Sequence, residues 1–129
     1  MHLLANALAF QTGWIACVLG AANGAPWIGV VVMLLVIALH VWRANDRPPE
    51  LALIFASGLI GVIGEGVLMA VDAVTYASPG PLAALPPAWL IAMWLGFATL
   101  MNVSMAWLKG RTVLAALLGL VFGPLSYIA

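Results

Sequence analysis

Glu65 stands inside a long apolar run, and an ionisable side chain in that setting is the strongest candidate for chemistry in this chain. In hydrocarbon an acid costs about 2.5–3.5 kcal/mol even on the lenient insertion scale, so Glu65 is expected to face the interior of a helix bundle. Gly58 and Gly61 precede it on the same helical stripe and Asp72 follows two turns on; the glycines would let a neighbouring helix approach closely. A buried acid of this kind could anchor the polar end of a ligand, or act as a general acid or base given a co-positioned partner. Equally, it could be a structural acid bonded to Tyr127, Ser126 or a backbone carbonyl. Asp72 falls near the end of its run and reads as solvated.

Depth along each run follows from a rise of 1.5 Å per residue. Counted from the expected inner end, Glu65 lies about 21 Å up, level with Trp14, Cys17, Trp94, Ser126 and Tyr127. A lower layer, about 5–12 Å up, holds Asn6, Gln11, His40 and Asn102. Thr99 and Asn102 share a helix face and point toward the level of Gln11; such groups bond across helices for about 0.6 kcal/mol each. His40 lies about 20 Å below Glu65, too far to share a metal with it, and is expected to reach the headgroup region beside Arg43. No histidine sits at the depth of Glu65 and Ser126, so no Ser-His-acid relay can be assembled. The glycines of run 61–66 lie inside an apolar stretch without a following Lys, which excludes a phosphate loop. The candidate ligand-binding set is therefore Glu65, Trp14, Trp94, Tyr127, Gln11 and Asn102. No catalytic residue, metal ligand or cofactor is assigned.

The elements that must position these groups are legible from composition. Apolar residues make up 66% of the 129 residues and charged residues 6%, against roughly 45–50% and 25% in soluble domains. A water-facing surface cannot be built from so few charges. The formal net charge is zero, so nothing favours nucleic acid as a partner. Cys17 is the single cysteine, which excludes an intramolecular disulfide and a cysteine zinc site. The chain starts without the Lys/Arg segment of a secretory signal, so its first apolar stretch is expected to remain as a span.

About 20 apolar residues cross a hydrocarbon core of about 30 Å. Five stretches approach that length, and the expected fold is an all-α polytopic membrane bundle, a single domain over 1–129, with transmembrane helices at about 3–22, 26–42, 50–74, 87–108 and 112–129. Asn23-Gly24-Ala25-Pro26 reads as a turn, Pro48-Pro49 as a helix breaker in a charged loop, and 76–86 as the longest non-helical piece. Arg43, Arg47, Lys109 and Arg111 fall in two loops that five spans place on one side, so the positive-inside rule puts the N-terminus inside and the C-terminus outside. Trp27 and Trp89 are expected at the outer interface, Trp42 and Trp107 at the inner one. Gly123-Pro124 should kink the last span, and Ala115, Gly119 and Gly123 form a small-residue seam along it.

Several runs resemble a small bacterial inner-membrane family known as domain of unknown function 2878. They are Phe10-Gln11-Thr12-Gly13-Trp14 with Ala16-Cys17-Val18-Leu19-Gly20-Ala21 and Pro26-Trp27; Trp89-Leu90, Trp94, Phe97-Ala98-Thr99, Asn102, Ser104 and Trp107; and Gly123-Pro124-Leu125-Ser126-Tyr127. The resemblance implies a multi-pass protein of the bacterial inner membrane. It also implies an Asp in most members where this chain has Glu65, and a chain that continues past Ala129. Neighbouring genes of that family include enzymes that modify fatty acyl chains, which implies a lipid-like ligand.

Three functions fit. The favoured expectation is binding or carrying of an apolar or lipid-like molecule in an intramembrane pocket with Glu65 as polar anchor. The second is an accessory subunit, as a homo-oligomer or with a membrane partner protein. The third is a membrane enzyme acting on lipid, which ranks last because Glu65 has no nameable catalytic partner.

Overall fold

The computed structural model describes residues 3–76 and 85–128, the side chains of 126–128 excepted. The described residues form five α-helices: α1 (Leu3–Ala22), α2 (Pro26–Arg43), α3 (Arg47–Ala70), α4 (Ala88–Met101) and α5 (Thr112–Ile128). A one-turn 3-10 helix, Ala106–Leu108, joins the last two. α1, α2 and α3 are each long and apolar enough to cross a membrane; α4 and α5 are apolar but shorter. Large apolar side chains such as Phe55, Val113 and Leu120, all at least 70% exposed, cover the outside. That surface suits oil rather than water.

α4 is the hub. It packs against α1, α2 and α3, and it buries residues on every side: Trp89, Leu90, Ala92, Gly96, Ala98 and Thr99. α1 and α2 form a tight antiparallel hairpin, whereas α3 leans almost wholly on α4 and touches α2 little. Small residues allow this closeness. A Cβ on Gly29 would fall 2.3 Å from Cα of Cys17, so the α1 and α2 backbones meet there directly. Met33 of α2 is fully buried between Gly13 of α1 and Gly96 of α4, whose added Cβ atoms would sit 2.8 and 2.3 Å from its sulfur.

The helix ends explain where the expected spans shift. α1 closes on Gly24 with φ +75°; Ala25 N–H donates to Gly20 O (2.8 Å) and Gly24 N–H to Ala21 O (3.4 Å). This is a Schellman closure with the conformationally free residue at its left-handed position. α3 closes the same way, four residues earlier than the expected 74. Ala73 N–H donates to Leu68 O (2.9 Å), Asp72 N–H donates to Met69 O (3.1 Å), and Asp72 takes φ +56°. Asp is among the few non-glycine residues that enter this region readily, so Asp72, exposed as expected, also serves as a helix stop.

At its other end α3 begins at Arg47, three residues before the expected 50. Pro48 and Pro49 sit in its first turn rather than breaking it, because amides there have no intrahelical acceptor to lose. The largest correction concerns α4, expected over 87–108 but ending at Met101. Asn102 and Ser104 commit their side chains to partners outside the helix, and Met105 N–H folds back to Leu100 O (2.8 Å). Side chains that compete for hydrogen bonds end helices in this way. A fourteen-residue helix is only about 21 Å long, so the chain completes this stretch with a turn and the 3-10 segment.

Two further expectations change. Trp27, Trp42 and Trp107 are exposed, whereas Trp89, grouped with them by sequence, is only 9% exposed and belongs to the core. α5 runs through Pro124, and among the described residues its substantial packing is confined to the 3-10 turn. A Cβ added at Gly119 or Gly123 of its small-residue seam would meet nothing within 4 Å among the described residues.

These contacts make a pair of glycines behave oppositely. Gly29→Ala should destabilise the protein by about 1–3 kcal/mol, since it drives a methyl into backbone that cannot rotate away. Gly119→Ala meets nothing and should not lower the melting temperature. A thermal-unfolding comparison in detergent checks both, and an unchanged Gly29→Ala melt would rule out the backbone contact.

Candidate functional sites

Two polar clusters lie at opposite ends of α3. Glu50 and Glu65, their central acids, are fifteen residues apart, which is about 22 Å along the helix.

The first cluster is built around Glu65, which is 2% exposed and faces α4 as expected. Trp94 Nε1–H donates to its Oε1 at 3.1 Å, and the Tyr76 hydroxyl donates to its Oε2. The stripe that carries Glu65 is shaped for Trp94. An added Cβ on Gly61 would fall 2.2 Å from Trp94 Cγ, one on Gly58 would fall 2.4 Å from Leu95 Cδ2, and Ser57 Oγ–H donates to Trp94 O at 2.6 Å. Tyr76 is held in turn by an edge-to-face contact with Trp89, their ring centroids 5.8 Å apart. Trp94 thus joins Glu65, as its depth suggested.

Trp14 does not take part in this geometry. It is half-buried on α1, a helix that packs on α2 and α4 and not substantially on α3. The Tyr127 and Ser126 side chains lie outside the described residues. Tyr76, assigned by sequence to a loop, was missed. The readable signal was a phenol just beyond the expected end of the span that carries Glu65.

The second cluster lies at the end shared by the α1 start, the α2–α3 connection and the α4 end. Here His40, which is buried, places Nε2 2.8 Å from Oε2 of Glu50. Asn102 Nδ2–H donates to Glu50 Oε1 at 2.6 Å, and Lys109 donates to Asn102 Oδ1. Expected to extend beside Arg43, His40 instead turns inward. His40 stands three residues before the end of α2 and Glu50 three after the start of α3, so the antiparallel register sets them face to face. That symmetry was available in the sequence.

Beside this pair a cavity of about 320 Å³ is lined by His40, Arg43, Asp46, Pro49, Glu50 and Asn102, with Ala44, Asn45 and Val103 completing its wall.

A third set of bonds stitches α1 to the end of α4. Asn6, buried, donates to Thr99 O at 3.0 Å, and its Oδ1 lies 2.7 Å from Ser104 Oγ. Asn6 therefore fills the place expected of Gln11, which is exposed, while Asn102 turns to Glu50. Of the expected ligand-binding set, Glu65 and Trp94 come together, Asn102 joins the second cluster, and Trp14 and Gln11 join neither. Among the described residues, no three His, Cys, Asp or Glu side chains converge as a metal site would require.

The Glu65 contacts should be measurable as coupling. A double-mutant cycle of Tyr76→Phe with Glu65→Leu should return about 0.5–1.5 kcal/mol of unfolding free energy, the range for a typical intramolecular hydrogen bond. Coupling near zero would mean that the phenol and the acid do not meet.

No curated protein matches the chain, and no solved structure does. A family model described as "Protein of unknown function (DUF2878)" matches residues 3–129, which includes both polar clusters and all five helices. The chain belongs to the DUF2878 family.

Proposed function

We propose that this protein is a multi-pass inner-membrane protein that binds an amphipathic, lipid-like molecule, holding the polar end of the ligand at the basic end of the bundle. The observation that carries the proposal is the cavity beside His40 and Glu50, with Arg43, Asp46 and Asn102 in its lining. At about 320 Å³ it is at the small end of ligand sites, a fit for a headgroup and not for acyl chains. Chains would lie outside, along apolar flanks that begin with Leu39 and Leu51, the exposed neighbours of His40 and Glu50. Glu65 serves a different purpose in this reading. Both its oxygens already accept bonds from protein donors, so it acts as a clasp between helices.

Orientation follows from the same end of the molecule. Arg43 and Arg47 flank the α2–α3 connection there, Lys109 is tied to Asn102, and Arg111 follows two residues on. Four basic residues at one end support a cytoplasmic assignment for it, with the N-terminus inside and α5 as a fifth span.

A second reading has its own support. α5 presents an apolar surface with an open small-residue seam, as a helix that packs on another subunit would. The protein would then be an accessory or self-assembling subunit. Its mass in mild detergent separates the two: a lipid-loaded monomer favours the binding role, a defined oligomer or complex the assembly role.

Native mass spectrometry of gently purified protein should show retained lipid. Arg43→Gln combined with His40→Ala should reduce it about threefold or more, and Glu65→Gln should keep it. Wild-type protein that carries no lipid would sink the binding role. Orientation is tested with single cysteines, because Cys17 is fully buried. An impermeant maleimide should label Asn23→Cys on intact cells and Asn45→Cys only after permeabilisation. The reverse pattern would invert the topology.

A further inference from the structure

Within the cavity of the proposed binding site, the charges are not equally committed. Glu50 is engaged at both oxygens, by His40 at Oε2 and Asn102 at Oε1. Arg43 and Asp46 also line the cavity, are exposed, and make no side-chain hydrogen bond or ion pair with each other or with any other described residue. Asp46 occupies the N-cap position of α3 yet makes no capping bond, so its carboxylate remains available to a ligand. One uncommitted cation and one uncommitted anion therefore border one small cavity.

His40 completes the set. Its Nε2 faces Glu50, and it has no second hydrogen-bond partner. Its ring lines the same cavity as Arg43 and Asp46.

A ligand that matches this arrangement carries both signs. A purely anionic headgroup would meet Arg43 but also the carboxylates of Asp46 and Glu50, and like charges so close are repelled. A quaternary ammonium could approach Asp46 but has no N–H to donate. A primary ammonium has three donors. Linked by two methylenes to a phosphodiester, it places a hydrogen-bonding cation and an anion in one headgroup small enough for the cavity.

We infer that the cavity selects an ethanolamine-type phospholipid headgroup, with Arg43 on the phosphodiester and Asp46 on the primary ammonium. This rests on the lipid-binding role above and narrows it to one headgroup class.

The test offers the purified, delipidated full chain equal amounts of ethanolamine, choline and glycerol phospholipids bearing the same palmitoyl and oleoyl chains. Native mass spectrometry reads the bound fractions. The ethanolamine lipid should be retained about threefold or more over each of the others, the scale of one exposed charged contact. Arg43→Gln and Asp46→Asn, both on the surface and harmless to folding, should each erase that preference. Arg47→Gln should keep it, since that guanidinium is turned to the Trp42 carbonyl at 3.2 Å. Displacement of bound lipid by soluble O-phosphoethanolamine would show that the headgroup is the element recognised. Equal retention of all three lipids, or a preference that survives both cavity variants, overturns the headgroup assignment while leaving lipid binding standing. Retention of none overturns both.

Discussion

The fold depends on how α3 is held to α4 in a medium that gives apolar helices no reason to associate. Lipid chains are as apolar as leucine, so helix pairing in a bilayer rests on close packing and on hydrogen bonds between helices. The α3–α4 seam supplies both with one residue. The Trp94 ring lies over Gly61, where any larger side chain would collide, its carbonyl accepts from Ser57, and its indole N–H reaches Glu65. The acid pulls in Tyr76, and Tyr76 stacks edge-on with Trp89 at the opposite end of α4 from the turn at Asn102. A residue costly to insert into hydrocarbon thereby fixes the height and rotation of the helix that carries it.

α4 in turn governs the rest. Its neighbours α1 and α2 close on its middle through the apolar contact of Gly13, Met33 and Gly96. The ends of α4 are where polar bonding concentrates. Trp89 and Trp94 serve the Glu65 end; Thr99, Asn102 and Ser104 serve the other, bonding to Asn6, Glu50 and Lys109. A short central helix explains this division. Where α4 stops after fourteen residues, the freed backbone and the side chains around it find partners inside the protein.

Much of the architecture was legible in the sequence, for reasons that the particular residues make clear. The apolar runs gave the helices and Asn23-Gly24 gave the turn, because hydropathy and left-handed backbone are local properties. The inward face of α3 was legible because Gly58, Gly61 and Glu65 recur at helical spacing, and Trp94 was placed beside Glu65 by depth alone. Depth could not supply helix order around the bundle. It set Trp14 and Gln11 level with their expected partners on a helix that does not pack substantially on α3, and it gave Gln11 a role that belongs to Asn6, five residues earlier. Nor does hydropathy register the interruption at Asn102, where Asn102 and Ser104 turn their side chains to tertiary partners.

The contrast between the two clusters bears on where a ligand would go. Glu65 is the acid that attracts attention in a linear reading, yet burial and two protein donors leave its carboxyl oxygens committed. The second cluster hides its acid behind His40 and Asn102 but leaves Arg43 and Asp46 uncommitted at a cavity mouth. A group already bonded within the protein must give up those bonds to meet a ligand, and in a low-dielectric setting that loss is large. An exposed charge at a cavity edge gives up only water. Recognition is therefore cheaper where the sequence looks ordinary, at the end of α2 and the start of α3, than at the conspicuous acid farther along α3. The bundle commits its buried acid to assembly and leaves Arg43 and Asp46 at the surface, where the proposed ligand would meet them.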